Sequence, residues 1–183
     1  MGRGLTLDNL EECTIISAEV LRSYFHSFIA VGANILYPLY VVPPATVDEC
    51  RTHAHEFQQA GFSGCIGSTD AMHIAMKRCM YRLRNNHLGP KQHLTTRTFN
   101  LTVNHHWHIL STTVGYPGRW NDKTVVLFDP FVRGLNEGSV VPDLSFELFE
   151  CDEFGNTSTT EYRGPWLIVD NGYLQWSKQL FHP

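Results

Sequence analysis

The sequence predicts a mixed α/β domain behind a helical lead-in, and three observations carry that prediction. Apolar residues recur at helical spacing through the first sixty positions, from Phe62 the texture changes to short alternating runs with turns between them, and Trp166-Leu167-Ile168-Val169 is an apolar run ending at an aspartate. The organisation that follows is a helical region over 1–61 and an α/β domain over 62–183.

Ser17 can cap SAEVLRSYFHSFIAVGANILY, where Val20, Leu21, Tyr24, Phe25 and Phe28 lie on one side of a helix. Pro38 and Pro43-Pro44 break that pattern. Thr46-x-x-Glu49 then forms a capping box for a second helix through Gln59, closed by Gly61. Cys65 to Met76 reads as a strand, with Met72, Ile74 and Met76 alternating, or as a helix capped at Ser68 to Asp70, and the strand is the expectation. Asn85 to Lys91 is a loop; Arg97 to Asn104 places Phe99, Leu101 and Val103 on one strand face, and Trp107 to Thr113 makes the next strand. Lys123 to Val132 is predicted as one helix. Glu147 to Cys151 and Thr159 to Arg163 can pair across Gly155-Asn156, and Trp166 to Val169 suits a strand buried on both faces. Strand, two paired strands, helix, insertion and buried strand is the order in which a mixed sheet of the ribonuclease H type begins.

Composition excludes several classes. Hydrophobic residues at 43% and charged residues at 17% describe a folded chain, with no apolar run long enough to span a bilayer and no export signal at the start. The expectation is a soluble, unexported protein. Five scattered cysteines, never in C-x-x-C, read as free thiols. From Ala71 to Asn121 there is no Asp or Glu, yet Lys77, Arg78, Arg82, Arg84, Lys91, Arg97 and Arg119 lie there with six of the ten histidines. That segregation suits a basic face that draws a phosphate backbone, and suits equally a solvated loop without a partner.

Asp70 and Asp170 share a setting, each on or at the end of an apolar strand beside a turn-forming residue. A carboxylate in an apolar strand must be capped, paired or bound to a cation, because burying it bare is costly. Two such groups on neighbouring strands can supply oxygens to Mg²⁺, which keeps several waters of its own. Asp122 at the start of the helix after GRWN could add another. Each has a plainer reading: Asp170-Asn171-Gly172 is a turn, and Asp122 is a good helix N-cap.

The blocks GFSGCIGSTDAMHIAMKRC, NNHLGPK, TTRTFNLTVNH, GYPGRWNDKTVVLFD and YRGPWLIVDNGYLQW, in order from about Leu10 to the end, resemble the plant-transposon branch of the Harbinger-type DDE transposases. The resemblance implies a ribonuclease H-like fold, DNA as substrate, the nucleus as its location, and Mg²⁺- or Mn²⁺-dependent strand cleavage and joining. It matches Asp70 and Asp170 to the first two catalytic aspartates and Asp122 to an additional acid counted with the metal ligands. Lys77, Arg78, Arg82 and Arg84 become candidates for DNA backbone contact, and a Myb-like partner protein is implied. The family's third acid is a glutamate on a helix well downstream, whereas no glutamate follows Asp170 here. The chain therefore reads as a truncated copy lacking that helix and the last strand, inactive or incomplete as a nuclease. NHHWH also puts histidines where relatives tend to carry arginine.

Four rivals stand beside this reading. His106 and His108 would share a face on a strand and could bind zinc with Cys65 or Cys79. A Ser-His-Asp hydrolase lacks a G-x-S-x-G elbow around Ser63 or Ser68. A non-catalytic DNA- or protein-binding remnant would keep the basic face without the chemistry. An unstable relic would follow if the missing strand left its neighbour unpaired.

Overall fold

A computed structural model describes residues 6–89, 94–170 and the backbone of 180–181. The chain divides into two units, Met1–Val41 and Val42–Pro183. In the first, α1 (Leu7–Thr14) and α2 (Ala18–Val31) are capped by the Thr6 and Ser17 side chains, and neither buries a residue. A π-turn, Gly32–Leu36, leads into α3 (Tyr37–Tyr40), which carries Pro38 in its first turn, where the missing N–H is harmless.

The second unit begins with α4 (Val47–Gln59). Its capping box is complete: Thr46 Oγ1 accepts from Glu49 N at 3.2 Å, and Glu49 Oε2 accepts from Thr46 N at 3.3 Å and Ala45 N at 2.8 Å. The Ala45 N–H, foremost, holds the Glu49 carboxyl below the usual range. Gly61 at φ 90° ends the helix region, in the left-handed conformation glycine tolerates best.

The fold is mixed α/β. The sheet contains β1 (Cys65–Ala75), β2 (Thr96–Val103), β3 (Ile109–Thr112), β7 (Trp166–Ile168) and β8 (Leu180–Phe181), in the order β3-β2-β1-β7-β8, with β4 (Tyr116–Pro117) also pairing β2. β1 pairs antiparallel with β2 and parallel with β7. β8 pairs parallel with β7 at Leu167 and Ile168, so the expected unpaired edge at those residues is corrected. A separate two-stranded hairpin joins β5 (Ser145–Cys151) to β6 (Thr157–Arg163).

Two expectations need correction. Residues 123–132 are not one helix: α6 (Asp122–Val126) stops, and α7 (Pro130–Asn136) starts at Pro130 with Asp129 as its N-cap. Proline cannot donate into a continuing helix but suits a first helical position, so the chain restarts there. The loop expected over 85–91 contains α5 (Arg84–His87), and its residues 90 and 91 lie outside the described residues.

The core gathers Ile66, Leu110, Val126, Phe131, Leu135, Leu167 and Val169, with Cys50 and Ala54 from α4. Burying side chains such as Leu167, which is wholly inaccessible, contributes about 2 kcal/mol each. Among the described residues no helix is long and apolar enough to cross a membrane.

Candidate functional site

β1 is buried from Cys65 to Thr69 and open from Asp70 onward. Asp70 stands where this changes and is exposed, so the expected buried carboxylate is corrected. The strand outruns β7, whose pairing with it covers only Cys65 to Ser68. Asp70 Oδ1 accepts from Ala71 N at 2.8 Å.

Ser68 lies level with Ile168 in the parallel β1–β7 pair. The pairing ends at that rung, two residues before Asp70 on β1 and two before Asp170 in the other segment. Asp170 lies just beyond β7 and is exposed. Asp122 occupies the first position of α6; the N-cap is its neighbour Asn121, whose Oδ1 accepts from Thr124 N at 2.8 Å. Its expected capping role belongs to that asparagine. Among the described residues no three His, Cys, Asp or Glu side chains converge closely enough to hold a metal ion. A pair of exposed carboxylates is a hard-oxygen donor set that suits Mg²⁺ or Mn²⁺ with water filling the other positions.

Lys77, Arg78, Arg82 and Arg84 follow the open end of β1, and all are exposed. Lys77 and Arg84 line a shallow cleft of about 280 Å³ with Met76, Cys79, Leu94 and Thr95. Among the described residues none of the four cations forms an ion pair. Lys91 lies outside the described residues.

The histidines take a different arrangement from the expected shared strand face. His105 and His106 sit in a turn before β3, where both ring Nε2 atoms reach Glu56 of α4, at 3.3 and 2.9 Å. His108 lies near His53, with ring centroids 6.2 Å apart. Burial, foremost, lowers the His53 pKa. Cys65 and Cys79 are free thiols. Burial pushes Cys65 up to about 12 and Cys50 up to about 11, so neither supplies a thiolate near neutral pH.

The acid that sequence reasoning missed is Asp129. It is wholly buried, and its carboxylate collects four donors: Asn100 Nδ2 at 2.7 Å, Ser111 Oγ at 3.2 Å, Phe131 N at 2.9 Å and Val132 N at 3.4 Å. Asn100 Nδ2 also donates to Thr69 Oγ1 at 2.9 Å, immediately beside Asp70 in the chain. An aspartate just before a proline was the available signal, since that pair marks an N-cap and first helical position.

A family model described as plant transposon protein matches residues 40–177. No curated protein and no solved structure matches the chain.

Proposed function

We propose that this chain, which belongs to the plant transposon protein family, is a transposase-derived DNA-processing domain of the Harbinger DDE type, with a ribonuclease H-like sheet, working on DNA in the nucleus. Asp70 and Asp170 hold a divalent cation, Mg²⁺ or Mn²⁺, and Asp122 is auxiliary. A cation held there supplies Lewis acidity and a bound water of lowered pKa. The protein's own part is to keep two carboxylates at the exposed end of β1 and to offer phosphates the exposed cations Lys77, Arg78, Arg82 and Arg84. A Myb-like protein is the proposed partner. The observation that carries the reading is the parallel β1–β7 register at Ser68 and Ile168, each two residues before an exposed aspartate.

A second reading, a DNA- or protein-binding remnant without catalysis, is favoured by the lack of a three-ligand group among the described residues. Calorimetry with Mn²⁺ on the wild type, Asp70→Ala and Asp170→Ala tests the metal site, and supercoiled plasmid with Mn²⁺ tests cleavage. Weak metal binding lost in both variants, salt-sensitive DNA binding and little nicking are expected. Equal Mn²⁺ affinity in all three proteins eliminates the metal site. DNA binding that survives in both variants while the plasmid stays intact selects the remnant.

A further inference from the structure

The β5–β6 hairpin belongs to none of the machinery above. Among the described residues β5 has a single strand neighbour, β6, so none of them forms a strand on its other edge to receive its backbone N–H and C=O groups. Among the described residues no hydrogen bond from outside the hairpin uses the backbone of residues 145–150. An uncovered edge of this kind accepts an added strand. Beside it runs a groove of about 520 Å³ between β5 and α4, lined in part by Arg51, His55, Gln58, Phe146, Glu147 and Phe149.

The two faces of the hairpin differ. On one, Phe146 stacks on Tyr162 with centroids 6.0 Å apart and planes 18° apart. The Phe146 ring also fills the space over Gly64, where a Cβ would lie 2.3 Å from it, so the base of the hairpin is seated on the segment entering β1. Among the described residues the other face has no such ring stacking. Phe149 is 81% exposed, and Glu147 lies directly opposite Glu161. Like charges facing each other across a strand pair are destabilising, and neither glutamate has an ion-pair partner among the described residues. The stretch 145–163 carries Glu147, Glu150, Asp152, Glu153 and Glu161 against Arg163 alone. On the facing wall, Arg51 is ion-paired with Asp48 at 3.5 Å.

We infer that the free edge of β5 docks an extended, lysine- or arginine-rich segment of another protein as a third strand, its cations meeting Glu147 and Glu161 and an apolar side chain covering Phe149. The backbone supplies hydrogen bonds and the alternating side chains supply selectivity. At about 3.4 Å per residue, the seven residues of β5 accommodate a partner strand of about six.

The test uses the full chain and three labelled six-residue peptides read by fluorescence anisotropy. One carries lysine, valine and lysine at its first, third and fifth positions with threonine between, so that one face presents both cations and the apolar side chain; one has glutamate in place of each lysine, and one is the lysine peptide N-methylated at every second amide. The lysine peptide is expected to bind about tenfold more tightly than the glutamate peptide, and N-methylation on the edge-facing amides should remove binding. Glu147→Lys and Phe149→Ser should each weaken the lysine peptide severalfold while far-ultraviolet circular dichroism stays unchanged. No binding, equal binding of all three peptides, or indifference to both substitutions overturns the proposal. Sedimentation of the protein alone completes the test: self-association removed by Phe149→Ser would make a second copy of this chain the occupant and overturn a separate partner.

Discussion

The two faces of β2 differ in the opposite sense from most half-buried strands. Thr96, Thr98, Asn100 and Thr102 are at most 3% exposed, whereas Phe99, Leu101 and Val103 are half-buried beside an exposed Arg97. Polar residues occupy the covered side because each has a partner there. Thr96 and Thr98 hydroxyls both lie against His73 Nδ1, at 3.1 and 3.0 Å, and Thr102 Oγ1 donates to Thr69 Oγ1 at 2.9 Å. Asn100 ties the row to Asp129. A satisfied network of this kind stands in for an apolar core, and it commits that side of the sheet to structure. The apolar row shares its side with Asp70, opposite Leu101 in the pairing, and that side stays open. The comparison separates two aspartates: one buried and fully occupied, the other exposed.

The largest effect should come from breaking this distinction. Asp129→Ala strips an acceptor from Asn100, Ser111 and two backbone N–H groups in a dry environment, which should cost about 3–5 kcal/mol. Asp70→Ala, on the open side, should change stability by no more than about 0.5 kcal/mol. Urea unfolding followed by circular dichroism measures both. Comparable losses in the two variants would mean that Asp70 too is a structural acid.

A smaller contrast sharpens the same point. Thr102→Val keeps the shape but removes a donor to Thr69, and should cost about 1 kcal/mol although it makes the covered side more apolar. Ile74→Thr makes the open side more polar at a residue 48% exposed and should change stability by less than about 0.5 kcal/mol. The same unfolding measurement ranks the pair, and the reverse order would show that hydrophobic patterning, not the network, decides which side of β2 is covered.

Local signals in the sequence were readable where the interaction itself is local. The Ser17 cap, the Thr46–Glu49 box and the hairpin across Gly155-Asn156 all involve residues a few positions apart. β1 and β2 were readable from alternation, but which side of β2 is covered was not. That choice depends on Asn100 meeting Asp129, 29 residues away, and alternation predicts Phe99, Leu101 and Val103 as the buried row. The single helix expected over 123–132 missed the same residue, since apolar spacing continues across the Asp129-Pro130 break. For the candidate site, the apolar run around Asp70 suggested a buried carboxylate, whereas Asp70 is exposed because β1 outruns its pairing with β7. The parallel pairing that brings Ser68 beside Ile168 joins segments a hundred residues apart, which no short pattern encodes.

The smallest expected effect is a pH dependence at the far end of the covered row. Asn104 is the next residue in it after Thr102, 8% exposed, and its Oδ1 accepts from His108 N at 2.9 Å. That bond fixes the amide, so Nδ2 is the atom 3.0 Å from His53 Nδ1, and an amide nitrogen can only donate. His53 Nδ1 must therefore accept, which requires the neutral ring with its proton on Nε2. Protonation would set two donors against each other, and burial already lowers the His53 pKa, with His108 adding to it. The unfolded chain then takes up this proton at about pH 6.5, before the folded chain does. Stability from this group is thus complete above the ordinary histidine value and is lost as pH falls through the lower folded value. His53→Gln keeps a carbonyl acceptor for Asn104 and removes the titration, so its unfolding midpoint should fall less than the wild type's between pH 7 and pH 5. The wild type serves as the reference curve, so the difference between the two curves reads the His53 substitution. Parallel curves would mean that the covered row ends at Thr102 and that Asn104 is not part of it.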